Sequence, residues 1–150
     1  SGYEPFEGVD PGWWVPRGYA VVNVDVRGTY HSGGDAEYFG CGQDAQDGYD
    51  AVEWFASRPW CNGAVSFAGN SWLAICQWFI ASAQPPHLAC IAPWEGHGDM
   101  YRCEYVRGGI PNIEGARAYF APGDGYQEDI REMIRKYPLY NAYWESKTVP

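Results

Sequence analysis

Residues 64–74 read Ala64-Val65-Ser66-Phe67-Ala68-Gly69-Asn70-Ser71-Trp72-Leu73-Ala74, and the fold turns on how this stretch is read. The Asn62-Gly63 turn signal leads into a short apolar run, Ala64 to Gly69, which predicts a strand. From Trp72 to Ala81 the chain is apolar nearly all round and stops before Pro85-Pro86, which predicts a central buried helix. Ser71 falls at the junction. A strand that turns sharply into a helix at a serine holds the hydroxyl above the sheet. Small residues two before and two after the serine relieve backbone crowding in such a turn. Gly69 meets the first demand and Leu73 fails the second, so G-x-S-x-G is broken at its last position. A helix start also offers N–H groups and a positive dipole end to a developing oxyanion. An N-capping serine with Asn70 in the turn fits the same residues, so local evidence leaves nucleophile and cap both standing. Leu73 is expected to pack against the neighbouring strand, in space left by Ala68 and Ala74.

Outward from the junction the pattern alternates. Upstream, Tyr19 to Val26 is a β-branched run between Arg17-Gly18 and Gly28, and predicts a buried strand. A loop with Gly33-Gly34 follows. Ala45, Tyr49, Val52, Phe55 and Ala56 then recur at helical spacing, predicting a helix over 44–57 that ends at Arg58-Pro59. Downstream, Leu88 to Pro93 predicts a third strand. Strand, helix, strand, helix, strand implies right-handed crossovers and a parallel sheet covered on both faces, an α/β fold. Past Trp94 the pattern changes. Gly96, Gly98, Gly108, Gly109, Pro111 and Pro122 break the chain into short pieces, and only Gln127 to Tyr137 has the spacing of a sustained helix, with Ile130, Met133 and Ile134 on one face. Residues 1–96 thus read as sheet core, and 97–150 as the start of a lid inserted on it.

The composition narrows the function. The chain has 150 residues, 46% of them hydrophobic, enough for a genuine core and too many for a disordered segment. Nineteen acidic residues against ten basic give a net charge of −9, which repels phosphates and argues against nucleic acid as partner. No run of eighteen apolar residues is present to form a membrane-spanning helix. Cys41, Cys61, Cys76, Cys90 and Cys103 are odd in number and lack C-x-x-C spacing, so they read as small buried hydrophobes of a reducing compartment, which favours the cytoplasm. G-x-G-x-x-G and Walker sequences are absent, and the three histidines stand at no metal-ligand spacing, so no cofactor or metal is expected. His97 and Asp99 follow the third strand, where ligands bind in open α/β sheets. In a hydrolase of this topology the catalytic histidine follows the last strand, so His97 reads as a loop residue near the lid.

Several stretches together resemble one branch of the α/β-hydrolases, the cocaine esterase and X-prolyl dipeptidyl-peptidase (CocE/NonD) hydrolases. They are residues 14–28, Asp47-Gly48-Tyr49-Asp50-Ala51-Val52-Glu53-Trp54, Pro59-Trp60-Cys61-Asn62-Gly63 running on to Gly69-Asn70-Ser71-Trp72-Leu73-Ala74, Pro93-Trp94-Glu95-Gly96 and Arg107-Gly108-Gly109-Ile110-Pro111. The resemblance spans nearly the whole chain, and members of the family carry an aliphatic residue at the Leu73 position. It implies a partial α/β-hydrolase fold with Ser71 as nucleophile and the Trp72 backbone N–H in the oxyanion hole. A tyrosine in a loop ahead of Ser1 is implied as the other donor. The catalytic aspartate and histidine are implied on loops beyond Pro150. Asp25 and Arg27 are implied as a charged pair fixing their loop.

The resulting expectation is a serine hydrolase that acts on a small ester, amide or peptide through an acyl-enzyme. Its rival is a hydrolase-like binding protein that has lost catalysis. On this reading the chain is an internal piece of the fold, with apolar surface such as Trp78 and Phe79 lacking its normal partners.

Overall fold

The computed structural model describes residues 6–116 and 125–150; Pro122, read above as a chain breaker, lies outside them. Helix α1 (Pro11–Trp14) runs into a 3₁₀ turn at Val15–Arg17. Then follow α2 (Gly42–Ala56), β1 (Val65–Asn70), α3 (Trp72–Ser82) and β2 (Leu88–Trp94). A π-helical turn at Tyr101–Tyr105 precedes α4 (Ile130–Lys136) and α5 (Ala142–Ser146). Strands β1 and β2 pair in parallel, with Phe67 opposite Ile91 and Asn70 opposite Trp94.

Local chemistry sets the helix ends. Helix α2 starts two residues before the predicted position, because the Asp44 carboxylate reaches back to the N–H groups of Gly40 (2.7 Å) and Cys41 (3.3 Å). Helix α4 is shorter than predicted, because extended Asp129 caps it by accepting the Arg131 N–H. Its Ile130 and Ile134 are both fully buried, as their spacing requires.

Three expectations need correction. Residues 19–26 form no ladder among the described residues, and Val22 and Val24 are about half exposed. β-branching favours extended chain, but a strand exists only where a neighbour takes its N–H and C=O groups, and β1 pairs with β2 alone. Arg27 pairs with Asp47 rather than Asp25, through two bonds of 2.8 and 2.6 Å that fasten its loop to α2. The guanidinium holds the Asp47 carboxyl below the usual carboxylate range. The cysteines are not uniformly buried, since only Cys41 is enclosed and Cys90 and Cys103 are exposed.

The main hydrophobic cluster lies beside α3 rather than around the sheet. Phe39, Ile75 and Phe79 meet Met100, Tyr105, Ile130, Ile134 and Trp144, so the 1–96 and 97–150 stretches share one core. Phe79, expected to lack a partner, is therefore buried, while Trp78 on the next position around the helix is 40% exposed. The one buried polar residue of α3 is satisfied on both sides: Gln77 donates to the Leu73 carbonyl (2.8 Å) and accepts the Ala92 N–H of β2 (3.0 Å).

Helix α2 meets α3 where Gly48 faces Ile80. A Cβ at Gly48 would lie 2.2 Å from Ile80 Cγ1 and 2.4 Å from its Cδ1. Alanine gains about 1 kcal/mol of helix propensity over glycine, but forcing a methyl into a packed contact costs about 1–3 kcal/mol. Gly48→Ala should therefore lower stability in chemical denaturation. A gain would show that the two helices separate freely.

Candidate active site

Ser71 has φ 57° and ψ −118°, a backbone conformation outside the wells that a serine favours. Holding it there costs on the order of 1–3 kcal/mol, which persists only where the surroundings over-determine it. Here they do. The Ser71 N–H donates to the Trp94 carbonyl at the end of β2 (3.0 Å), and the Ser71 carbonyl accepts the N–H groups of Ala74 and Ile75 (both 3.0 Å). Ser71 occupies the N-cap position of α3, but its side chain makes no capping bond to the helix. Asn70 is engaged elsewhere, since its N–H donates to the Glu7 carbonyl (3.0 Å).

The glycine two residues before the serine has a specific cause. A Cβ on Gly69 would sit 2.6 Å from Leu73 Cβ, so the turn closes only if position 69 has no side chain. Leu73 itself corrects the expectation of a packed leucine: it is 42% exposed, and its Cβ rather than its isobutyl end makes the critical contact. Gly96 plays a matching part after β2, where a Cβ would lie 2.8 Å from that of Ala74. Between them Glu95 also takes a positive φ, 53°. Two non-glycine residues of unusual backbone thus end the two adjacent strands on the same side.

Trp72 opens α3, so its N–H belongs to the first helical turn, whose donors have no carbonyl four residues back within the helix. Its indole stacks on Phe39 (centroids 4.3 Å, planes 29° apart) and on Tyr38 (6.2 Å, 27°). The Tyr105 hydroxyl donates to that of Tyr38 at 2.8 Å, in the buried interior. Behind this shelf lies Lys147, 1% exposed, which donates to the Tyr38 carbonyl and stands 3.7 Å from the Glu128 carboxylate. Tyr143 donates to the same carboxylate. Periodicity does not reveal Tyr38, Phe39 or Lys147: two aromatics in a glycine-rich loop and a lysine near the chain end read as surface. Their only sequence signal is the Tyr38-Phe39-Gly40 triplet just ahead of a helix.

The other reactive side chains are committed elsewhere. His87 pairs with Glu53 (2.7 Å) at the start of β2, one strand length or about 20 Å from the Ser71 end. His97 sets Nε2 3.3 Å from Glu104, while its Nδ1 is buried without a partner among the described residues. His31 is exposed in a turn. Burial, with Asp44 beside it, pushes the Cys41 thiol up to about 12, so it is protonated at neutral pH and no rival nucleophile. Among the described residues no three His, Cys, Asp or Glu side chains converge to hold a metal ion, and no helix is long and apolar enough to cross a membrane.

A parallel strand ending in a strained serine that opens a buried helix is the elbow arrangement of the α/β-hydrolases. Residues 4–132 match the model of the X-Pro dipeptidyl-peptidase (S15) family, and the chain belongs to that family. It is 35% identical over 138 residues to the cocaine esterase of Rhodococcus sp. strain MB1 Bresler, covering 85% of this chain and 24% of that enzyme. The solved structure of a CocE/NonD family hydrolase from Staphylococcus aureus superposes with a TM-score of 0.87 at 38% identity, over 99% of this chain and 28% of the other. The chain therefore spans about a quarter of the length of these relatives.

The Gly69–Leu73 contact can be tested by a double-mutant cycle. Gly69→Ala should destabilise by about 1–3 kcal/mol, the usual cost of overpacking. In a Leu73→Gly background, where the opposing Cβ is gone, the same change should cost well under about 1 kcal/mol. Equal costs in both backgrounds, read by thermal melting, would place the constraint elsewhere.

Proposed function

We propose that the protein is a serine hydrolase that cleaves a small ester or amide bond, of acyl-ester or X-Pro dipeptidyl type, through an acyl-enzyme on Ser71. The observation that carries this reading is the Ser71 conformation itself: a serine held at φ 57° between a parallel strand and a helix, with a side chain that caps nothing. A purely structural serine gains nothing from that strain, whereas a nucleophile gains exposure and aim.

The chemistry follows from the placement. Ser71 Oγ adds to the substrate carbonyl carbon as a histidine takes its proton, and the carbonyl oxygen becomes an anion. The Trp72 N–H, next in the chain and at the positive end of α3, is the donor that meets this charge. Collapse of the adduct expels the alcohol or amine with the histidine's proton, and water then releases the acid by the same route in reverse. His87 and His97 are committed to Glu53 and Glu104. As the family resemblance implies, the histidine and aspartate of the triad are assigned to loops beyond Pro150, and 97–150 to the beginning of a cap that shares the core's hydrophobic cluster. Cocaine esterase supports the ester class, and the S15 family description the X-Pro class.

A fluorophosphonate probe tests the assignment in the intact protein that contains this chain. Peptide mapping should find the label on Ser71, and Ser71→Ala should abolish both labelling and ester hydrolysis. A folded Ser71→Ala protein that retains hydrolysis would overturn the assignment. A wild-type protein that folds but neither labels nor turns over would favour the binding-protein alternative.

A further inference from the structure

The loop at residues 38–41 is gripped from several sides, although its one thiol, Cys41, is buried and protonated. Gly40 takes φ 76°, and the space a side chain would need there is filled by Met100 Sδ (3.1 Å) and Ile75 Cγ2 (3.2 Å). The Tyr38 ring is fixed at its tip by the 2.8 Å bond from Tyr105. The Tyr38 carbonyl accepts from Lys147, a fully buried ammonium that stands 3.7 Å from the Glu128 carboxylate and 5.4 Å from the Tyr143 ring, with the Asp44 carboxylate also within electrostatic reach. A buried lysine is a costly way to fill space, and its charge is tolerated here because the Glu128 carboxylate stands beside it. Besides balancing Glu128, the ammonium holds one carbonyl at one place, which a methionine cannot do.

The other side of that loop is the Trp72 indole. Phe39, 7% exposed, stacks on it at 4.3 Å, and Tyr38 adds a second contact. Trp72 is covalently next to Ser71, so the orientation of its peptide is set jointly by the elbow and by where its ring is clamped. Oxyanion donors act over a narrow range of distance and angle, and displacement of about 1 Å is enough to lose much of their effect.

We propose that Phe39 and Lys147 are positioning residues for the oxyanion hole: Lys147 anchors the backbone of the 38–39 loop, and Phe39 transmits that anchorage through the indole to the Trp72 N–H. The inference rests on Ser71 being the nucleophile. It gives Lys147, far along the chain beyond β2, an indirect part in aligning the elbow. Neither side chain touches substrate, and both act through Trp72.

The test uses the intact enzyme, with p-nitrophenyl acetate as substrate and active sites counted by fluorophosphonate titration. Phe39→Leu and Lys147→Met should each lower kcat per titrated site about tenfold or more, because a donor is misaligned rather than deleted. KM should stay within about threefold, and the inhibition constant of phenylboronic acid, whose serine adduct is tetrahedral and anionic, should rise in step with the fall in kcat. Lower melting temperatures with unchanged kcat per site and unchanged boronate inhibition would overturn the proposal and leave packing as the only role. A rise in KM alone would overturn it too. If Lys147→Met does not fold, Phe39→Leu decides. Ser71→Ala separates the two readings: if it still hydrolyses the ester, the nucleophile assignment falls, whereas an inactive Ser71→Ala beside fully active Phe39→Leu sinks only the positioning role.

Discussion

The 2.6 Å that separates a notional side chain at Gly69 from Leu73 Cβ is the tightest constraint at the site, and the arrangement around Ser71 depends on it. The backbone must fold back within two residues for α3 to start directly after β1. That is possible only if position 69 lacks a Cβ and position 71 accepts φ 57°. The bond from Ser71 N–H to the Trp94 carbonyl and the close approach of Gly96 to Ala74 then lock β2 to the same corner. Two strands and a helix converge on one serine, so its strain is shared among contacts that would all have to break for it to relax.

Stability comes from elsewhere. The hydrophobic cluster fills the space between α3 and the segments after β2, with Phe79 and Ile75 on one side and Met100, Ile130, Ile134 and Trp144 on the other. The strands themselves are only partly covered, and the apolar residues at 19–26 lie largely exposed. Helix α3 is thus the shared wall, with Ser71 at its start and the core against its flank. Any change that shifts α3 against its core also shifts Ser71.

The charges divide in the same way. On the surface, Arg27–Asp47 is a bidentate pair that fixes a loop, and its partial exposure limits what it adds to stability. Inside, Asp44 caps α2 and Lys147 holds the Tyr38 carbonyl, each satisfying main-chain groups that burial would otherwise leave unpaired. Burial pushes the Asp44 carboxyl up while its bonds from Gly40 and Cys41 pull the other way. The interior charges serve backbone geometry, and that geometry leads to the indole beside Ser71.

The amino-acid sequence by itself determined whatever depends on neighbours in the chain. The strand from Val65, the helix from Trp72, the helix over most of 42–56 and the third run at Leu88 were all legible. Their signals are periodicity, turn residues and breakers, which act over one element's length. Ser71 was legible as one of two possibilities, because a nucleophile and a cap share the same local pattern; in the fold its side chain makes no capping bond. What only the tertiary structure decided involves partners far away in sequence. Residues 19–26 carry every strand signal and yet have no ladder among the described residues, since pairing needs a neighbour that local sequence cannot specify. Arg27 chose Asp47 over the nearer Asp25, and Leu73 turned out to matter for its Cβ rather than its bulk. Lys147 reads as a surface residue in any window and is 1% exposed, because its environment is built by Tyr38 and Glu128, which local spacing does not bring together.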